Sequence, residues 1–143
     1  MLRLSFLLFF LGVLPVGAQT TLPSLSASNA RALQEEGELV LIDIRQPEEW
    51  RETGMPQGAK GVSMAHPEGG QGFLREVLAL VDGNKNAAIA LICRTGNRTS
   101  QVVPALQQWG FTQIYHIPEG MLGSRFGAGW IPSGLPIERC TEC

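Results

Sequence analysis

Two rhythms of apolar residues run along the chain. Near-continuous apolar runs occupy residues 39–44 and 87–92, each set off by Gly, Asn, Lys or Arg. Runs of that length and density fit strands buried on both faces. Between and after them the spacing changes to that of helices. Ala30 and Leu33 share a face over residues 29–36; Phe73, Val77, Leu78 and Val81 share another; Val102, Val103, Leu106 and Trp109 a third. Stops follow at Gly37, Asp82-Gly83 and Gly110, and Ser28 is placed to cap the first helix. Pro47-Glu48-Glu49-Trp50 reads as a short helix opened by proline. Val62 and Met64 suggest a short strand, and residues 113–117 a last one. Strands and helices alternate from residue 28 to residue 137, which predicts an α/β domain: a central, mostly parallel sheet with helices on both faces. Residues 66–72 are rich in glycine but lack the Lys-Ser/Thr ending of a phosphate-binding loop, so they read as a surface loop.

The amino-terminal stretch follows neither rhythm. Met1-Leu2-Arg3 is basic, residues 4–16 are strongly apolar, and Val16-Gly17-Ala18 offers small residues for cleavage. That pattern predicts a secretory signal peptide over residues 1–18 and an exported, periplasmic or secreted protein. An uncleaved anchor would want about 20 apolar residues and is opposed by Pro15 and Gly17, so no stable membrane insertion is expected after cleavage. Residues 19–27 form a Ser/Thr/Pro-containing extended segment, and residues 138–143 a tail holding Cys140 and Cys143.

Charge narrows the range of partners. The chain has 11 Lys and Arg against 13 Asp and Glu, with no basic run, which gives nucleic acid no electrostatic footprint. His66 and His116 lack a metal-ligand spacing, and neither a metal nor an organic cofactor is expected.

The chemistry concentrates at the end of the second apolar run. Cys93 follows Ile92 there, at the carboxyl end of a central strand, where open α/β sheets place their ligand sites. Arg94, Thr95, Gly96, Asn97, Arg98 and Thr99 come next. Their consecutive N–H groups can curl into an anion-binding nest, with Gly96 supplying a positive φ and Thr99 or Ser100 capping the helix. The helix N-terminus and two arginines favour the thiolate, the nucleophilic form of cysteine. A buried structural thiol is the commoner fate of a lone Cys, but the flanking arginines and the glycine loop argue against it here. Cysteine phosphatases space Cys and Arg as C-x5-R, whereas Cys93 to Arg98 is C-x4-R. The shorter ring suits one extra sulfur atom better than a phosphoryl group.

Cys93-Arg94-Thr95-Gly96-Asn97-Arg98 resembles the active-site loop of the rhodanese family of sulfurtransferases, which begins C-R-x-G. Asp43-Ile44-Arg45 resembles that family's D-x-R signature, read as an ion pair supporting the loops rather than a catalytic pair. Gly110, Phe111 and Ile114 match its G-F-x-x-V pattern, and Trp130 with Gly134-Leu135-Pro136-Ile137 its carboxyl-terminal ending. Gly54-Met55-Pro56-Gln57-Gly58-Ala59 departs from the family's G-H-I-P-G-A, with Met55 in place of His. Between Gly120 and Trp130 lie more residues than usual, forming either part of the site's rim or a surface variation.

The resemblance implies a sulfur relay. Cys93 takes sulfane sulfur from a small anion such as thiosulfate and passes it to cyanide, a thiol or a protein cysteine. Residues 94–99 bind the donor and the persulfide, with Arg98, and Arg94 beside it, attracting the anion. The alternative is a persulfide carrier or thiol-redox partner with little free-standing thiosulfate turnover. A catalytically silent binding module on the same fold is opposed by the intact Cys93. Cys140 and Cys143 are expected to pair with one another as a tail clip and leave Cys93 free. A redox role for the pair ranks second and a metal site third, since one C-x-x-C supplies two of the four ligands structural zinc wants.

Overall fold

The computed structural model describes residues 21–143; the leader read over residues 1–18 lies outside them. Its centre is a four-stranded parallel sheet of β1 (Val40–Asp43), β3 (Lys60–Gly61), β4 (Ile89–Ile92) and β5 (Ile114–His116), in the order β3-β1-β4-β5. The two central strands are the two apolar runs, and Leu41 pairs with Ala90 and Ile42 with Leu91. The short strand sought at Val62 and Met64 is assigned one step earlier. Even so, the Val62 and Met64 N–H groups still reach Asp43 O and Ile44 O at 3.1 and 3.0 Å, so the ladder continues through them. Beyond β5 the lead-in segment adds an edge, with His116 N–H on Pro23 O at 3.0 Å and Leu25 N–H on His116 O at 3.1 Å.

Both faces of the sheet are covered, as the alternation implied. Ile42, Ile89, Leu91, Cys93 and Ile114 point toward α3 (Gly69–Leu80) and α4 (Asn97–Gln108), meeting Phe73, Val77, Val103 and Leu106. The intervening residues Leu41, Ala90 and Ile92 point the other way, toward Ala27 and Ala30 of α1 (Ala27–Glu35) and Trp50 of α2 (Pro47–Thr53). Met121 and Trp130 of the long carboxyl-terminal connection complete that second core. Fully burying a side chain such as Val77 or Leu106 is worth about 1.5–3 kcal/mol. A small antiparallel ribbon, β2 (Met55–Pro56) with β6 (Ile137–Glu138), ties the segment after α2 to the end of the chain. Among the described residues no helix is long and apolar enough to cross a membrane.

Three local expectations need correction. The first helix is capped by Ser26, not Ser28: its Oγ accepts from Asn29 N–H at 3.2 Å. Starting two residues earlier buries Ala27, whose N–H the Glu119 carboxylate accepts from across the fold. Residues 69–72, read as loop, form the first turn of α3. There Gly72 lies so close to the His66 imidazole that a Cβ would collide with it, and His66 Nε2 lies 3.0 Å from Glu76 Oε1. Thirdly, Thr99 does not cap α4. Gly96 holds the cap position at φ +87° without a side chain, which puts Thr99 inside the first turn. The helix then runs on through Pro104, which deprives it of one internal donor.

Candidate active site

β4 ends at Ile92 and hands Cys93 to the loop as a 1 % exposed residue, the free cysteine among those described. The backbone after β5 holds the loop in place. Met121 N–H donates to Cys93 O at 2.9 Å and Leu122 N–H to Arg94 O at 3.0 Å. Two glycines permit this closeness. A Cβ on Gly120, at φ +65°, would stand 2.5 Å from Arg94 O, and one on Gly96 would strike Pro118 O. The loop is thereby a fixed turn clamped from behind.

Its inside faces the sulfur. Gly96 N–H donates to Cys93 Sγ at 3.2 Å, and Thr99 Oγ1 lies 3.8 Å from the same atom while donating to Gly96 O at 3.0 Å. Among the described residues, the backbone N–H groups of Arg94, Thr95, Asn97, Arg98 and Thr99 meet no acceptor. These are orphan donors of a helix start and its preceding loop, and their geometry suits an anion.

Arg98 is not isolated. It makes a two-pronged ion pair with Glu49 of α2, Nη1 to Oε2 at 2.6 Å and Nη2 to Oε1 at 2.7 Å. The guanidinium's hydrogen bonds hold the Glu49 carboxyl down to about 2, against an opposing contribution from burial. The same bonds push Arg98 further up. Glu49 was missed in the sequence because the two residues are 49 positions apart and Glu49 reads there as one more polar residue of a short helix.

The pair expected between Asp43 and Arg45 is present and buried. Arg45 Nη2 lies 2.7 Å from Asp43 Oδ2, and Arg45 also donates to Thr53 Oγ1 at 2.8 Å and Gly54 O at 2.7 Å. It thus fastens the end of β1 to the end of α2, one helix from the loop.

Three cavities border the loop, and Cys93 lines none of them. Arg94 faces a cleft of about 70 Å³ with Arg45, Glu49 and Leu122. Arg98 borders one of about 300 Å³ with Met64 and Gln101. Thr95, Gly96 and Asn97 back onto one of about 500 Å³, whose far wall holds Arg125 and Phe126. Two residues of the insertion between Gly120 and Trp130 thus share a cavity with the back of the loop, the Arg125 guanidinium lying 4.7 Å from the centre of the exposed Phe126 ring. His116 lines this largest cavity and reaches Thr99 behind the sulfur, and burial pushes its pKa down. In the sequence it had no partner spacing to mark it. Cys140 and Cys143 are bonded to each other, and Arg51 donates to Cys143 O.

A cysteine at the end of a central parallel strand, bonded by the Gly96 N–H and followed by loop N–H groups that meet no acceptor among the described residues, defines a class of loop-cradled thiol site. The description of the rhodanese-like domain matches residues 26–123, and the chain belongs to that family. An uncharacterized protein of Rickettsia prowazekii (strain Madrid E) is 26 % identical over 98 residues, covering 67 % of this chain and 80 % of that protein. Among solved structures, the polysulfide-sulfur transferase homodimer from Wolinella succinogenes is 27 % identical with a TM-score of 0.62, covering 85 % of this chain and 81 % of that one. Thiosulfate sulfurtransferase from Pseudomonas aeruginosa shares the fold at TM-score 0.64 and 22 % identity, covering 82 % of this chain and only 20 % of that one.

Proposed function

We propose that the protein is a sulfurtransferase that carries sulfane sulfur on Cys93. The observation that carries this reading is the Cys93 sulfur at the base of a turn whose Gly96 N–H points at it and whose other N–H groups meet no acceptor among the described residues. The Cys93 thiolate attacks the outer sulfur of thiosulfate. The S–S bond breaks, sulfite leaves with the bonding pair, and a persulfide anion remains. The loop N–H groups stabilise that terminal charge. Cyanide or a thiolate then attacks the outer sulfur and releases the Cys93 thiolate, which gives ping-pong kinetics. Asp43 and Arg45 hold the walls of the site and take no proton. The apolar leader at residues 1–18 supports an exported location, and a bonded Cys140–Cys143 pair suits an oxidising compartment.

The Arg98–Glu49 pair favours a second reading within the same chemistry. With the Arg98 charge balanced by Glu49, Arg94 is left as the cation of the loop facing the narrow cleft. A site so weakly cationic suits an organic persulfide donor of lower charge, and so a carrier, better than a dianion such as thiosulfate.

Steady-state transfer to cyanide from thiosulfate, from polysulfide and from an organic persulfide decides between the two. Transfer from any of these donors that vanishes in Cys93→Ser supports the proposal, and a much larger kcat/KM with an organic persulfide than with either dianion selects the carrier. Aryl phosphate hydrolysis at a comparable kcat/KM would replace both with a phosphatase.

A further inference from the structure

Behind the loop sits a titratable side chain that the relay leaves without a part. His116 ends β5 at 9 % exposure, and its Nδ1 lies 3.5 Å from Thr99 Oγ1. Thr99 Oγ1 is in turn 3.8 Å from Cys93 Sγ and 3.0 Å from Gly96 O. A carbonyl oxygen has no proton to give, so the Thr99 hydroxyl donates its single proton to Gly96 O. Toward His116 it can then only accept.

We infer that His116 carries its proton on Nδ1 and is a positioning residue: by donating to Thr99 it leaves that hydroxyl's proton free to turn from Gly96 O onto an anionic Cys93 sulfur. With the proton on Nε2 instead, the Nδ1 lone pair would compete with the sulfur for the Thr99 proton, and the thiolate would lose a donor. Burial favours the neutral ring, so its tautomer matters more than its charge. The neighbouring elements bring few charges to bear. Leu22 and Ser24 of the lead-in segment and Ser100 of α4 bring none. Across the cavity stands Arg125, while the Glu119 carboxylate is turned to Ala27 N–H; Cys93 itself is reached through Thr99.

The inference rests on Cys93 being the reacting group, but its test reads thiol reactivity and needs no sulfur donor. The rate at which iodoacetamide alkylates Cys93 in the full chain is followed across pH by mass. His116→Leu should slow alkylation about fivefold near neutral pH, the effect of one lost hydrogen bond, with the two curves converging at high pH. His116→Asn, which keeps a donor, should restore most of the rate. In a Thr99→Val background His116→Leu should change nothing further. Equal slowing by Leu and Asn, slowing that survives in Thr99→Val, no slowing, or acceleration from a loosened core would each overturn the inference. The expected pattern without sulfur uptake would retain the role of His116 and remove the transferase reading.

Discussion

At the scale of single residues, the ion pair between Glu49 and Arg98 alters the electrostatics of the loop most. Its side chains are 20 % and 28 % exposed, so it is a rim interaction and contributes about 1 kcal/mol. The Glu49 carboxyl is held at about 2, below its ordinary value of 4.5. A depressed carboxylate adds stability that is fully present above its unfolded value and is lost as pH falls through the folded one. Glu49→Gln should therefore remove a stability increment at pH 6 and flatten the loss of stability between about pH 4.5 and 2, read from urea unfolding at each pH. The pair also sets donor preference. Arg98→Ala leaves an uncompensated carboxylate beside the loop, and should raise KM for dianionic thiosulfate more than for an organic persulfide of lower charge. Adding Glu49→Gln to that variant should recover part of the loss. No recovery would mean that Arg98 acts by shaping the loop.

At the scale of elements, the strand–loop–helix unit from β4 to α4 depends on the turn that follows β5. Gly120 adopts φ +65° with Arg94 O in the place a Cβ would occupy. Gly120→Ala should cost about 2 kcal/mol or more through that conformation and the collision, and abolish sulfur uptake before the fold is lost. Thermal unfolding and transfer rate on one preparation would check it; full activity with a lowered Tm would show that the clamp does not shape the loop. The element scale also marks what could be read from the chain. Both central strands were legible because burial on two faces demands unbroken apolar runs, and the Cys93 loop because its residue types have few other uses together. Local signals misled where a distant group decided the outcome. The start of α1 is fixed by Glu119, 92 positions away, and the first turn of α3 by the His66 ring against Gly72. Glu49 and His116 join the site only through the fold, since nothing near them in sequence records Arg98 or Thr99.

At the scale of the whole molecule, the tail and the loop are separate systems. Cys140 and Cys143 close on one another and pack against the core under α1 and α2, whereas Cys93 belongs to the core under α3 and α4. Deleting residues 140–143 should leave thiosulfate:cyanide transfer within about twofold, while the loss of side chains packed on the core under α1 and α2 costs about 1 kcal/mol of stability. A several-fold fall in transfer would make the tail part of the relay. The central claim, that Cys93 carries the sulfur, is reached most directly by intact-mass spectrometry. Protein exposed to thiosulfate or polysulfide should gain about 32 Da, one sulfur atom, lose it to cyanide, and gain nothing as Cys93→Ser. Retention of the added mass by the Cys93→Ser protein, or no added mass in the unaltered chain with either donor, would contradict the account.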